Sequence, residues 1–271
     1  MDIRDPVFAD AVAAIDTGDV AKLDALLTQN PRLVTNPLSS REEGFAYFAD
    51  PYLLWFVAEN PIRNDRLPAN IVAVTTTIVD HLDRHAPPTR QHQLDYTVEL
   101  IATGKVPREA GVQLPLIDAL ITRGARASGL DATVAHNEMA AARRLIHHGA
   151  PLTLTAALCL GLEHEAQRLL PDAGPGERGD ALLAAASLGL TDAIRFLLDA
   201  GIDPNTRSAR LHRHATALHE AALTGKTDLC QLLVDAGASL AVRDQIWDGT
   251  PAGWADHAGH HALAARLRDA N

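Results

Sequence analysis

The sequence predicts an all-α fold assembled from short helix pairs. The first observation behind this is the stretch 216–244, TALHEAALTGKTDLCQLLVDAGASLAVRD. It holds one short helix with an apolar stripe at Leu218, Ala221 and Ala222, closed by Gly225, and a second with Leu229, Leu232 and Leu233, closed by Gly237. The second observation is compositional. Apolar residues make up 47% of the 271 positions but aromatics only 4%, so burial must rest on Ala, Leu, Val and Ile, which suits thin helices packed closely.

Thr216-Ala217-Leu218-His219 at the start and Gly237-Ala238 at the end resemble an ankyrin repeat, with Ala217 where that family's usual proline stands. The resemblance implies an ankyrin-repeat solenoid of about eight helix pairs with short finger loops. It implies one ankyrin-repeat domain over 1–271, with 31–90 an irregular repeat with insertions and 180–271 the most regular repeats. A single pair cannot bury its apolar face, and stacking supplies the missing partner.

The family's spacing, a glycine between the helices and another about a dozen residues later, orders the rest of the chain. Residues 8–30 form a first pair around Gly18, with Asn30 in the closing-glycine place, where Asn tolerates a left-handed backbone. Residues 31–43 read as a loop. Phe45, Tyr47, Phe48, Tyr52, Trp55 and Phe56 then place six of the chain's eleven aromatics (5 Phe, 3 Trp, 3 Tyr) in an aromatic-rich insertion at 45–56. A helix is expected over 52–58, ended by Asn60-Pro61, and another over 70–82. Residues 85–89 are a linker, 94–102 a helix, 104–111 an enlarged turn and 114–121 its partner helix. Units at 130–150 (turn at Asn137) and 154–170 (turn at Gly161) follow, then a Gly/Pro joint at 172–179. The last three units are 180–201, the opening stretch, and 248–267 with Thr250-Pro251 and Gly259-His260.

The net charge of −10 supplies no basic field for phosphate, so no nucleic-acid partner is expected. No apolar run reaches the roughly 18 residues of a membrane span, and MDIRDPVFAD has no apolar signal core. A cytoplasmic, monomeric protein is expected. Lys22, Lys105 and Lys226 are the lysines among 24 basic residues, a bias that suggests a GC-rich bacterial gene. Cys159 and Cys230 lie on apolar helix faces and read as reduced, packed thiols.

Chemistry is sparse. His257, His260 and His261 are the densest histidines, yet Gly259-His260 resembles the turn pair common between ankyrin helices, and no HExxH signature exists. Glu99, Asp118, Glu138 and Glu220 are scattered carboxylates, and neither Gly-x-Ser-x-Gly nor a phosphate loop is present. No catalytic residue, cofactor or metal is assigned. By resemblance, His219 ties neighbouring turns. The aromatic insertion is read as a small core, with an exposed anchor patch as the alternative. The expected function is non-catalytic recognition of a protein through the concave groove and fingers. The assigned contact residues are Arg207, Arg210, Arg213, Glu220, Leu223, Thr224, Arg243, Trp247, Trp254 and His257. The alternatives are an enzyme or small-ligand-binding protein using a pocket in the groove, which converging His and carboxylate groups would favour, and a specific inhibitor of immunity type.

Overall fold

The computed structural model describes residues 3–38, 50–60, 62–208, 210–211 and 214–270. Phe45, Tyr47, Phe48, Pro61, His212 and Arg213 lie outside the described residues, as does the end of the expected loop 31–43. Among the described residues every regular element is helical, and Arg207 and Thr216 form an isolated antiparallel bridge. No described helix is long and apolar enough to cross a membrane. The chain divides into two compact units, Met1–Thr133 with Glu138–Pro151, and Val134–Asn137 with Leu152–Asn271.

The first unit opens with the helices Pro6–Thr17 and Val20–Gln29. Asp5 caps the first, its carboxylate accepting the amides of Val7 and Phe8, with Pro6 at the position where a missing N–H costs nothing. Gly18 turns left-handed at φ 71°. Asn30 does not: its φ is −131°, and its side-chain amide donates to the Leu26 carbonyl at 3.0 Å, doing with a hydrogen bond what was expected from backbone conformation. The expected loop contains a short helix, Arg32–Thr35, because Leu33 and Val34 find burial there.

The expected helix over 52–58 is a 3₁₀ helix, Leu53–Ala58, with all six residues buried. It ends in left-handed Glu59 rather than at Asn60. The Glu59 carboxylate pairs with Arg63, whose guanidinium also reaches Asp16 at 2.7 Å and covers the Phe56 ring. Phe56 meets Phe8 edge-on at 5.5 Å, and Trp55 lies 4.5 Å from the Tyr96 ring. The described aromatics of the insertion therefore sit mostly in a core, as the first reading had it. Helix Ile71–His85 takes in the first residue of the expected linker, and 86–89 connect it to Arg90–Ala102. The enlarged turn holds the short helix Lys105–Glu109, anchored by buried Val106 and Pro107. Gln113–Thr122 packs between Arg90–Ala102 and Met139–His147.

The second unit is regular. Its first helices, Leu154–Cys159, Pro175–Leu188, Ala217–Leu223 and Pro251–His257, pack in a row, each followed by an outer helix. One apolar cluster runs from Leu154 through Ala185, Leu218 and Leu233 to Leu267. The Gly/Pro joint shrinks to residues 172–174, since Pro175 starts a helix that runs through Gly179. Gly179 suits that place because an added β-carbon would sit 2.4 Å from the Arg207 carbonyl oxygen. Gly225 and Gly237 adopt φ 69° and 95°, the left-handed closure expected of both. Both cysteines are buried.

Candidate functional site

The site begins with a turn that Asp244 organises. Its carboxylate accepts the amides of Ile246 (2.8 Å), Trp247 (2.7 Å) and Gly249 (2.8 Å), and the indole N–H of Trp254 (3.0 Å). Burial by itself would raise its pKa. The four donors, Trp247 first, outweigh that and hold it well below the usual carboxylate range. The result is a rigid finger over 244–249 whose tip presents Ile246 and Trp247 to solvent, 62% and 68% exposed.

His219, fully buried, joins this finger to the preceding helix. Its Nδ1 faces the Thr216 hydroxyl at 2.8 Å and its Nε2 lies 3.1 Å from the Gly249 carbonyl. Desolvation lowers its pKa, so the ring is neutral and donates from Nε2. That leaves it no free nitrogen for base catalysis.

Between finger and helix lies a cleft of about 540 Å³. Trp247 and Trp254 wall it, ring centroids 5.8 Å apart and planes at 63°. The His214 ring stands 5.2 Å from Trp247 and 5.7 Å from Trp254. Leu223 and His257 line its exposed edge, and Glu220, almost fully buried, contributes its carboxylate. The Ser187 hydroxyl donates to Glu220 Oε2 at 2.9 Å.

Five of the ten expected contact residues thus meet in one place: Glu220, Leu223, Trp247, Trp254 and His257. Of the others, the four described ones do not line it. Thr224 is exposed at the end of its helix, its hydroxyl returned to the carbonyls of Glu220 and Ala221. Arg207 is a clasp: it donates to the carbonyls of His214 (2.6 Å) and Arg243 (2.9 Å), linking two neighbouring connections. Arg210 pairs with buried Asp180 at 2.7 Å. Arg243 reaches Asp248 at 3.2 Å. Arg213 lies outside the described residues.

Asp244 escaped the sequence reading, and His214, which lies in the basic connection read as a candidate finger, was not among the assigned contact residues. An aspartate followed by a turn and a glycine, as in DQIWDG, was a usable signal, since Asp readily accepts amides two residues on. His214 left none, being brought to the tryptophans from 33 and 40 positions away. Among the described residues no group of three or more His, Cys, Asp or Glu is placed to hold a metal ion. A second cleft, about 660 Å³ and lined from Ala157 to Phe196, contains none of the expected contact residues.

Residues 132–244 match the family model described as ankyrin repeats, in three copies. These residues are ankyrin repeats. The matched stretch takes in Glu220 and Leu223 and ends at the finger's anchor, Asp244. No curated protein sequence matches the chain. Ankyrin repeats are in general protein–protein interaction modules, so a binding role fits the repeats found here.

Proposed function

We propose that this protein recognises a protein partner without covalent chemistry, through the fingers and the solvent-facing positions of the first helices in its second unit. The observation that carries the reading is Trp247, a large aromatic held out in solvent by the Asp244 turn rather than folded into the core. Leu223 and Ile246 are also exposed. Together these make three of the four large apolar side chains exposed among the described residues, the fourth being Ile62. Aromatic anchors of this kind dominate interface energetics, and a preformed loop lowers the ordering cost of binding. The excess of acid favours a partner with basic groups.

The test is a photo-crosslinking amino acid placed at Ile246, with the same group at His164 as control. A single cross-linked protein from the host at 246 and not at 164, lost in Trp247→Ala, is the expected result. Identical cross-links from both positions would refute the assignment of this face.

A second reading has one specific observation in its favour. His214, His257 and Glu220 converge on the cleft, an arrangement that suits a small polar ligand. Under that reading a metabolite, not a protein, would protect the indoles of Trp247 and Trp254 from oxidation.

A further inference from the structure

We infer that the Asp248–Gly249 bond of the finger is a modification site, at which the aspartate isomerises through a cyclic imide to a β-linked isoaspartate once the Asp244 turn opens.

The sequence supplies the reactants. Asp248 and Gly249 form the one Asp-Gly pair in the chain, and no Asn-Gly pair occurs. The main-chain nitrogen after an aspartate can close a five-membered ring on the side-chain carboxyl, and glycine there has no β-carbon to obstruct the approach. The Asp248 side chain is 80% exposed, in a surface pair with Arg243, so its carboxyl carbon is open to water. Asp248 also holds a left-handed backbone, φ 55°, which an L residue adopts at a cost and the β-linked product does not require.

The reaction needs no co-reactant besides water. The Gly249 nitrogen attacks Asp248 Cγ, and the amide proton and the carboxyl hydroxyl leave together as water. A second water then opens the ring. Attack at the Asp248 main-chain carbonyl leaves Gly249 joined to Cγ, which is the isoaspartate; attack at Cγ restores the original bond.

The closed finger withholds that nitrogen. Gly249 donates its N–H to Asp244 Oδ2 at 2.8 Å, and its carbonyl accepts the Asp244 amide at 2.9 Å and the His219 ring at 3.1 Å. These three bonds fix the 248–249 peptide plane against the rotation that ring closure needs. The first also protects the N–H, since removing its proton would set a nitrogen anion against a carboxylate that its donors keep ionised. Isomerisation therefore runs at the rate of the free loop multiplied by the fraction of time the finger is open. The product cannot close again, because β linkage adds a methylene, about 1.5 Å of main chain, between anchors whose hydrogen bonds have set lengths. On the recognition reading above, the mark retires Trp247 as an anchor.

The test keeps the full chain and a synthetic peptide of residues 244–251 in warm, mildly acidic buffer, well below the melting temperature. Isoaspartate is measured with an isoaspartyl carboxyl methyltransferase and a labelled methyl donor, and placed by fragment-ion mass spectrometry. The native chain should form it at residue 248 at least about tenfold more slowly than the peptide. That ratio should match the open fraction read from hydrogen exchange of the Gly249 amide in the native chain. Asp244→Asn, folded by its thermal melt, should recover most of the peptide's rate. Gly237→Ala, which loosens the same unit and leaves the finger's bonds in place, should keep the native rate. Asp248→Glu, which would need a six-membered ring, should give no signal at 248. A native rate equal to the peptide's, a ratio unrelated to the exchange value, no acceleration in Asp244→Asn, equal acceleration in Gly237→Ala, or a signal that survives Asp248→Glu would each overturn the inference. With the photo-crosslinking group at Ile246, isoaspartate should be depleted in the cross-linked pool; equal content in both pools would overturn the loss of the anchor. A partner captured by a chain that never isomerises would leave the recognition reading standing and this one refuted. Isomerisation that passes every control, with no partner captured, would do the reverse.

Discussion

Asp244→Asn tests whether one carboxylate builds the exposed finger. In the native protein Oδ1 accepts from Ile246 and Trp247, and Oδ2 from Gly249 and the Trp254 indole. The substitution keeps one oxygen and turns the other into a donor facing two donors. Two bonds to a charged acceptor are lost, at about 1.5 kcal/mol each, so the expected destabilisation is about 3 kcal/mol at neutral pH. For a unit of this size that lowers the midpoint of thermal unfolding by about 10 °C. The pH dependence follows from the lowered pKa. Asp244 is depressed in the folded state from its ordinary 3.8, so its stabilisation is fully present above that value. It is lost as the pH falls from there toward the folded pKa. The gap between wild type and Asp244→Asn should therefore be constant from about pH 5 to 8 and narrow below about pH 4. Urea titrations followed by tryptophan fluorescence at each pH measure it. A loss under about 0.5 kcal/mol at pH 7, or a gap that widens in acid, would refute the role given to this carboxylate.

Arg207→Ala removes two charge-assisted bonds to the carbonyls of His214 and Arg243 and should cost about 2 kcal/mol by urea unfolding. Arg243→Ala, losing a surface pair, should cost about 0.5 kcal/mol or less. Gly225→Ala should destabilise more than Gly237→Ala, because both need positive φ but only at Gly225 would the new β-carbon also meet a ring, that of His260, at 2.6 Å. Melting temperatures of the two variants decide it, with about 1–3 kcal/mol expected for the worse. In Gly237→Val, hydrogen exchange should rise in residues 250–267 while residues 8–27 stay protected, since each repeat leans on its neighbour; uniform loosening would contradict the array. The Cys230 thiol, which burial pushes up to about 12, should resist disulfide-exchange reagents at pH 8 until the protein unfolds.

Helix pairs and their glycine turns were legible because their causes are local. Gly18, Gly189, Gly225 and Gly237 close helices where a β-carbon would strain the backbone, and a reader of the sequence sees the missing side chain directly. Boundaries in the first unit were less legible. Leu33, Val34 and Val106 form extra short helices because neighbours distant in sequence offer them burial, which periodicity over four or five residues cannot register. The same limit governs the candidate site. Leu223, Trp247, Trp254 and His257 were named from their places in a repeat, and the fold does bring them together. For Arg207 and Arg210 the sequence showed only charge on a long connection. Their acceptors are two main-chain carbonyls and a carboxylate 30 positions away, which exist as partners only after folding. Composition and turn chemistry thus determined the helix pairs, and the resemblance to ankyrin repeats implied that they stack. The tertiary structure alone decided which charges are satisfied internally and that His214, Glu220 and two tryptophans share a cleft, since a charge or ring acquires its role from the dielectric and the donors around it.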